Sequence, residues 1–179
     1  MNDVARLNKE LFEELKLKNV NEIPEVLSIT LNIGVGASKK EELAYSKDIL
    51  AMITGQTPIT TNARKSIAGF SIREGWPLGT KVTLRRESMK RFQDKLVSIV
   101  LPATRDFEGL NPNSFDGRGN YSFGIKDYTV FSEIPFNNNS FKIGMDVCIA
   151  TSATNDEDAR LLLTKLGYPF SKRIKIRRK

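Results

Sequence analysis

The residues best suited to chemistry lie in a basic stretch near the middle of the chain, Thr61–Arg86. It holds six cations and a single acid: Arg64, Lys65, Arg73, Lys81, Arg85 and Arg86, against Glu74. From Thr80 onward apolar and polar residues alternate, so Lys81, Thr83 and Arg85 are predicted to share one face of a strand. Two cations and a hydroxyl on one face suit phosphate and sugar oxygens. The alternative is an ordinary solvated outer face.

A second strand with a hydrogen-bonding face is predicted at Val26–Ile33. Four alternate residues are expected on its buried side: Leu27, Ile29, Leu31 and Ile33. The other side carries Ser28, Thr30 and Asn32, which can form hydrogen bonds but have no charge. The Gly34-Val35-Gly36 sequence that follows has no third glycine at the nucleotide-loop spacing, so a plain turn is expected.

Trp76 is the single tryptophan of the chain and falls in a predicted glycine-bounded loop, Gly75–Gly79, just before the basic strand. Two interpretations stay open for its side chain. The ring packs back on its own loop, or it contacts a base, a ribose or a protein partner.

The residue inventory argues against an enzyme. The chain has no histidine, which excludes imidazole bases and the commonest zinc ligand. Its one cysteine, Cys148, is expected to be buried in a strand, and no internal disulfide or thiolate zinc cluster is possible. Acids such as Asp106 and Asp116 occur in a turn-rich region, Thr104–Asn120, where carboxylates usually accept hydrogen bonds from their own backbone. No cofactor and no metal are expected.

The charge of the chain points to an anionic partner. There are 28 basic and 21 acidic residues, a formal charge of +7, which suggests nucleic acid first and an anionic membrane surface second. No secretory signal follows Met1, and no apolar run approaches the ~20 residues of a membrane helix. We therefore expect a soluble intracellular protein with one domain, 1–171, and a basic tail, 172–179, able to neutralise phosphates.

The remaining elements follow from periodicity and capping signals. Helices are predicted over 4–17, from a Ser38–Glu41 capping box to Gly55, from Met89 through Phe92, Leu96, Ile99 and Val100 to Pro102, and from a Thr154–Glu157 capping box to Gly167. Two further strands are predicted at Tyr121–Phe131 and Ile143–Thr151, joined through the turn Asn137–Asn139.

Five segments carry a resemblance to a known family. They are ITLNIGVG (Ile29–Gly36), ITGQTP (Ile53–Pro58), ARKSIAGFSIREGWPLGTKVTLRRE (Ala63–Glu87), RDFEGLNPNSFDGRGNYSFGIKD (Arg105–Asp127) and TNDEDARLLLTKLGYPF (Thr154–Phe170). In order and spacing they resemble the family of the fifth protein of the bacterial-type large ribosomal subunit, which binds 5S ribosomal RNA. The resemblance implies an α+β fold, in which an antiparallel β-sheet carries helices on one face as an RRM-like or ferredoxin-like two-layer sandwich.

The resemblance also implies partners and site residues. The polar sheet face is expected to dock on 5S rRNA at the central protuberance, with 23S-type rRNA and neighbouring large-subunit proteins nearby. The positions that match the family's RNA-binding motif are Asn32, Gln56, Thr83 and Arg85. From their charge, we expect Arg64, Lys65 and Lys81 to bind rRNA as well. The resemblance implies that the segment Arg73–Gly79 approaches the elbow of the P-site tRNA, where we expect Arg73, Trp76 and Pro77 to make the contact. The polar loop would bridge to a small-subunit head protein, in a cytoplasmic ribosome or an organellar one.

The chain departs from the family pattern at one edge. Pro102-Ala103-Thr104-Arg105 and Glu108 stand where the family often has two more cations. Our hypothesis is that the basic tail, 172–179, replaces part of this charge.

Two rival functions make different predictions. A general polyanion or membrane-surface binder would select weakly among anions and lose all binding in moderate salt. An enzyme using Asp106 and Asp116 would hold a carboxylate of strongly raised pKa in a concave pocket.

Overall fold

The computed structural model describes residues 2–36, 40–105, 107–134, 141 and 143–171. Four of the features predicted above lie partly or wholly outside these residues: Ser38 of the first capping box, Asp106, the Asn137–Asn139 turn and the tail, 172–179.

The described chain contains five α-helices and five strands. The α-helices are α1 (Asn2–Glu14), α2 (Lys40–Thr54), α3 (Arg86–Lys95), α4 (Leu101–Ala103) and α5 (Asp156–Lys165), with a π-helical turn, Leu96–Val100, between α3 and α4. The strands are β1 (Val26–Gly34), β2 (Ile59–Asn62), β3 (Pro77–Leu84), β4 (Tyr121–Ile125) and β5 (Met145–Thr151). None of the helices in the described part of the chain is long and apolar enough to cross a membrane.

The five strands form one sheet in the order β2-β3-β1-β5-β4. β3 lies beside both β1 and β2 and runs antiparallel to each. Leaving out β4 at the sheet edge, the succession β1-α2-β2-β3-α3-β5 is the β-α-β-β-α-β pattern of ferredoxin-like folds. The predicted α+β two-layer sandwich is therefore confirmed.

The inner face of β1 and β3 is apolar because alternate residues of each strand are large hydrophobes. The buried side chains are Ile29, Leu31 and Ile33 of β1, Val82 and Leu84 of β3, and Ile49, Leu50 and Ile53 of α2. Thr80 is also fully buried, and its hydroxyl donates to Ser46 Oγ of α2 at 3.1 Å. Ser46 Oγ in turn donates to the Leu43 carbonyl at 2.8 Å, so this buried polar pair is satisfied.

The described residues divide into two compact units, one within 1–28, 105–123 and 148–179 and the other within 29–104 and 124–147. In the first, Lys165 of α5 pairs with Glu10 at 3.2 Å and Glu14 at 2.6 Å and so links α5 to α1. In the second, the hydroxyls of Tyr45 and Tyr128 lie 3.1 Å apart. The expectation of one domain over 1–171 stays a prediction.

Two sequence expectations about burial are wrong. Cys148 is exposed, because in β5 the alternate residues Met145, Val147 and Ile149 take the buried side. Leu27 is 50 % exposed, although it shares the parity of the buried residues of β1. Alternation assigns a side chain to a face, but it does not say how far along the strand that face is covered.

Other differences concern the ends and turns of elements. Ile99 is 49 % exposed, because the wider turn of the π-helical segment takes it off the face that buries Leu96 and Val100. The strand predicted from Tyr121 ends at Ile125, and a 3₁₀ turn, Tyr128–Val130, follows.

The capping box predicted at Thr154 and Glu157 is not formed. α5 begins at Asp156 with Asn155 as its N-cap residue, and the Asn155 side chain makes no capping hydrogen bond.

The prediction of a loop over Gly75–Gly79 is also wrong, because β3 begins at Pro77. Gly79 lies within the strand, where a Cβ would collide with the Ile33 carbonyl and meet Thr61 Oγ1 at 3.2 Å. Glycine is therefore required here because the backbones of β3 and β1 approach each other closely, and not because the chain turns.

Candidate nucleic-acid interface

Four polar residues meet on the open face of the sheet, in two directly paired positions of β1 and β3. Thr30 lies opposite Thr83, and Asn32 lies opposite Lys81. The hydroxyl oxygens of Thr30 and Thr83 are 3.3 Å apart, within hydrogen-bonding distance. Lys81 is exposed and the other three are half-buried. We call these four residues the polar quartet; they bring the predicted polar faces of both strands together.

Arg85 extends the polar quartet past the end of β3. Its backbone is extended, with φ −140° and ψ 162°, so the alternation continues by one more residue. The Arg85 side chain therefore falls on the side of Lys81 and Thr83, and it is exposed. The structure thus places three of the predicted contacts, Lys81, Thr83 and Arg85, in one stripe along β3.

Gln56 lies in the turn between α2 and β2 and is exposed. Its N–H donates to Thr54 Oγ1 at 3.2 Å, and that hydroxyl donates to the Leu50 carbonyl at 2.6 Å. Ile59 of β2 is paired with Lys81, so Gln56, three residues earlier, lies toward the end of β3 that Arg85 follows. The Gln56 backbone is thereby held near that end of the stripe, and its side chain is exposed there.

Ile59 is an apolar residue that the sequence argument left out. It pairs with Lys81 across the β2–β3 ladder, and it is 65 % exposed. A β-branched side chain in a row with Lys81 and Asn32 offers an apolar surface beside two polar groups. The sequence gives only a weak indication that Ile59 lies on this face, because β2 has only four residues, Ile59–Asn62, and alternation over so short a segment is hard to recognise.

Residues 63–76 form an exposed lobe between β2 and β3. Its base is closed by Ala63 N–H donating to the Trp76 carbonyl at 2.8 Å and by Gly75 N–H donating to the Ala63 carbonyl at 2.9 Å. Ile67 and Ile72 form an antiparallel bridge farther out. Arg64 and Lys65 therefore belong to the lobe with Arg73 and Trp76, and not to the strand face on which Lys81 and Thr83 lie.

Arg73 and Trp76 contact each other within the lobe. The Arg73 guanidinium carbon lies 5.8 Å from the centre of the Trp76 ring, a cation–π distance. An open groove of about 660 Å³ runs beside them, lined also by Ser66, Ser71 and Glu74. The ring is 39 % exposed, so it both packs on its own lobe and presents surface to solvent. Pro77 is half-buried as the first residue of β3.

The lobe exposes more apolar surface than its tryptophan suggested. Phe70 is 74 % exposed and Ile67 is 46 % exposed. Phe70 lies in a 3₁₀ turn, Ala68–Phe70, followed by Ser71 with φ 53°. The sequence signal for this tip is a large aromatic residue, Phe70, next to a glycine and near several cations.

Asp116 of the polar loop accepts hydrogen bonds from the backbone and side chain of its own loop. Asp116 Oδ1 accepts from the N–H groups of Arg118 at 2.8 Å and Asn120 at 3.0 Å, and Oδ2 accepts from Asn120 Nδ2 at 2.7 Å. The Asn120 side chain first, and then these two backbone donors, lower the pKa of Asp116. An acid catalyst would need the opposite shift. Within the described ranges no three acids or other donors cluster as metal ligands do.

Asp156 attaches the same loop to α5. Its two carboxylate oxygens accept from Gly117 N–H at 3.1 Å and Gly119 N–H at 2.9 Å. A Cβ on Gly119 would lie 2.7 Å from the Ala153 carbonyl, so the loop backbone runs directly against the start of the helix. Asp156 therefore organises a loop, in addition to placing a negative charge at the positive end of the α5 dipole.

The fold and this surface define a class: α+β two-layer proteins whose sheet keeps one face polar and open. Comparison with protein families is more specific. The family described as "Ribosomal protein L5" matches residues 19–73, and the model of the C-terminus of the same ribosomal family matches residues 77–170. The chain belongs to the ribosomal protein L5 family.

Two relatives are similar to this chain over nearly its full length. The chain is 50% identical over 166 residues to the large ribosomal subunit protein uL5 of Psychrobacter arcticus, covering 92% of this chain and 93% of the relative. It is 49% identical over 164 residues to the uL5 protein of Dichelobacter nodosus, covering 90% and 92%. The predicted family, the large-subunit structural role and the absence of enzymatic function are thereby confirmed, and the cytoplasmic ribosome agrees with these bacterial relatives.

Proposed function

We propose that this large-subunit protein binds 5S rRNA through the polar quartet, Arg85 and Gln56. The observation that carries the proposal is the register of β1 and β3, which sets Asn32 opposite Lys81 and Thr30 opposite Thr83 on the open face. The core needs none of these side chains, because the inner face of the same strands is filled by alternate hydrophobes. The register of β1 and β3 thus produces a continuous polar surface, and the protein has a net charge of +7. Both features suit an RNA partner.

The residues of this surface would have two different roles in RNA recognition. Lys81 and Arg85 supply charge to phosphates, which fixes affinity and its dependence on salt. Asn32, Gln56 and Thr83 supply directed hydrogen bonds to sugar hydroxyls and unpaired bases, which fix the register on the RNA. We expect recognition of RNA shape, since side chains do not read the deep major groove of an RNA helix. The same surface would extend to neighbouring 23S-type rRNA.

We assign the lobe, 63–76, to the P-site tRNA. Arg73 and Trp76 form one cation–π unit beside the open groove, and Pro77 joins the lobe to β3. Arg64 and Lys65, expected at rRNA, lie in the same lobe and would add charge for whichever RNA it meets. The polar loop, whose backbone Asp116 and Asp156 hold, would form the bridge to a small-subunit head protein, among other proteins of the central protuberance.

The proposal is tested by binding to 5S rRNA and to an unrelated RNA of equal length at several salt concentrations. Thr83→Ala/Arg85→Ala should lose about 1–3 kcal/mol of its preference for 5S rRNA and flatten the salt slope by about one unit. Thr164→Ala/Arg160→Ala is the matched control, because it removes the same two residue types from exposed positions of α5. Its preference for 5S rRNA should equal that of the wild type.

Two results would contradict the proposal. If the wild type binds both RNAs equally and releases both in moderate salt, the chain is a general polyanion binder. If both double variants lose the same affinity, the contribution is net charge alone and the sheet face has no special part.

A further inference from the structure

Arg86 combines an exposed cation with an unfavourable backbone conformation. Its φ is 52°, in the left-handed region, where side chains other than glycine are strained. The part of the chain that the structure describes has only two other such non-glycine residues, Lys16 and Ser71. A glycine would hold this conformation without strain, so local stability does not explain an arginine here.

Charge adds a second cost at the same position. Arg86 is the first residue of α3, where the helix dipole disfavours a cation. The acid next to it, Glu87, pairs with Lys90 at 3.7 Å, and no ion pair joins Arg86 to any other described residue. Neither the backbone nor the immediate electrostatic environment therefore favours arginine.

The left-handed turn has a consequence for where the side chain lies. Continued extension would turn residue 86 to the side of Val82 and Leu84, which is buried. The chain instead leaves the strand at Arg86, whose side chain is exposed directly after Arg85. A second exposed arginine therefore directly follows the stripe formed by Lys81, Thr83 and Arg85.

We propose that Arg86 is a further RNA-binding residue, which contacts phosphate next to Arg85 and is kept at the expense of local stability. This inference rests on the proposed binding of 5S rRNA through the polar quartet. It concerns a different residue and makes a prediction of its own, because stability and RNA affinity should change in opposite directions.

The test is Arg86→Gly, measured by thermal unfolding and by 5S rRNA binding as a function of salt. Removal of the strain should raise Tm by roughly 2–4 °C, and loss of one phosphate contact should lower affinity several-fold and reduce the salt slope by about one unit. Lys16→Gly is the matched control, because Lys16 is also a cation whose backbone has a left-handed conformation, but it lies on neither β1 nor β3. It should raise Tm and leave 5S rRNA affinity unchanged.

Further variants separate the possible outcomes. Arg86→Asn accepts the left-handed conformation without a charge and should lose the same affinity, whereas Arg86→Lys should retain most of it. If Arg86→Gly gains stability and binds RNA as the wild type does, while Thr83→Ala/Arg85→Ala loses its preference, the role of Arg86 is refuted and the proposed function stands. If the double variant also binds normally, the proposed function has failed as well. A fall in Tm for Arg86→Gly would refute the argument from strain.

Discussion

Gly34 and Gly79 lie directly opposite each other at the end of the β1–β3 ladder, but only Gly79 lacks room for a side chain. A Cβ on Gly79 would enter the space of the Ile33 carbonyl, whereas a Cβ on Gly34 would have no neighbour within 4 Å. This close approach lies two residues from the pair formed by Asn32 and Lys81. The alignment of the polar quartet therefore depends on a residue that has no side chain.

Gly79→Ala should destabilise the protein by about 1–3 kcal/mol, because the added methyl group meets backbone, which cannot turn aside. Gly34→Ala should change the free energy of unfolding by less than about 0.5 kcal/mol. Urea unfolding of both variants compares them directly. Equal effects would mean that the ladder adjusts freely at Gly79.

Lys81→Ala should reduce the salt slope of 5S rRNA binding by about one unit while leaving stability nearly unchanged, because its side chain is exposed. Lys90→Ala is the matched control: this lysine is also exposed, on α3, where it pairs with Glu87 at 3.7 Å. Filter binding over a range of salt concentrations measures both slopes. The sheet face is not the phosphate-binding surface if the two variants shift the slope equally.

Much of this surface was predictable, because the two faces of a strand can be inferred from alternation alone. Asn32, Thr83 and Lys81 lie where the pattern put them. What alternation cannot supply is the partner of each residue: nothing in the sequence aligns Asn32 with Lys81 or Ile59 with Lys81, since register depends on packing between distant segments.

The lobe was less predictable for the same reason. Its base depends on hydrogen bonds that join Ala63 to Trp76, thirteen residues later, and to Gly75, and no local sequence pattern indicates them. Cys148 was misplaced because it is a small apolar residue within a largely apolar run. The alternation of β5 did carry the correct signal, since the charged Asp146 shares the face of Cys148 and the larger hydrophobes Met145, Val147 and Ile149 share the buried one.

Stability at acid pH should depend on Asp116. Its pKa in the folded protein lies below the ordinary value of 3.8, so its contribution is present above that value and is lost as pH falls through the folded pKa. Asp116→Asn should therefore be less stable than the wild type near neutral pH, and the difference should shrink below about pH 4. Thermal unfolding from neutral to acid pH measures it, with Asp94→Asn, an exposed acid of α3, as the control. A difference that does not change with pH would show that the carboxylate charge is not what holds Arg118 and Asn120.

The single tryptophan gives a direct test of the lobe. If the lobe contacts the tRNA elbow, adding tRNA to the protein already saturated with 5S rRNA should change Trp76 fluorescence, because its ring is partly exposed beside Arg73. Arg73→Ala should weaken the tRNA-dependent change several-fold, since it removes both a cation and the group that orients the ring, and should leave 5S rRNA affinity intact. Arg160→Ala, an exposed arginine of α5, is the control for charge. Should 5S rRNA itself produce the whole change, and tRNA none, the lobe belongs to the rRNA interface together with Arg64 and Lys65.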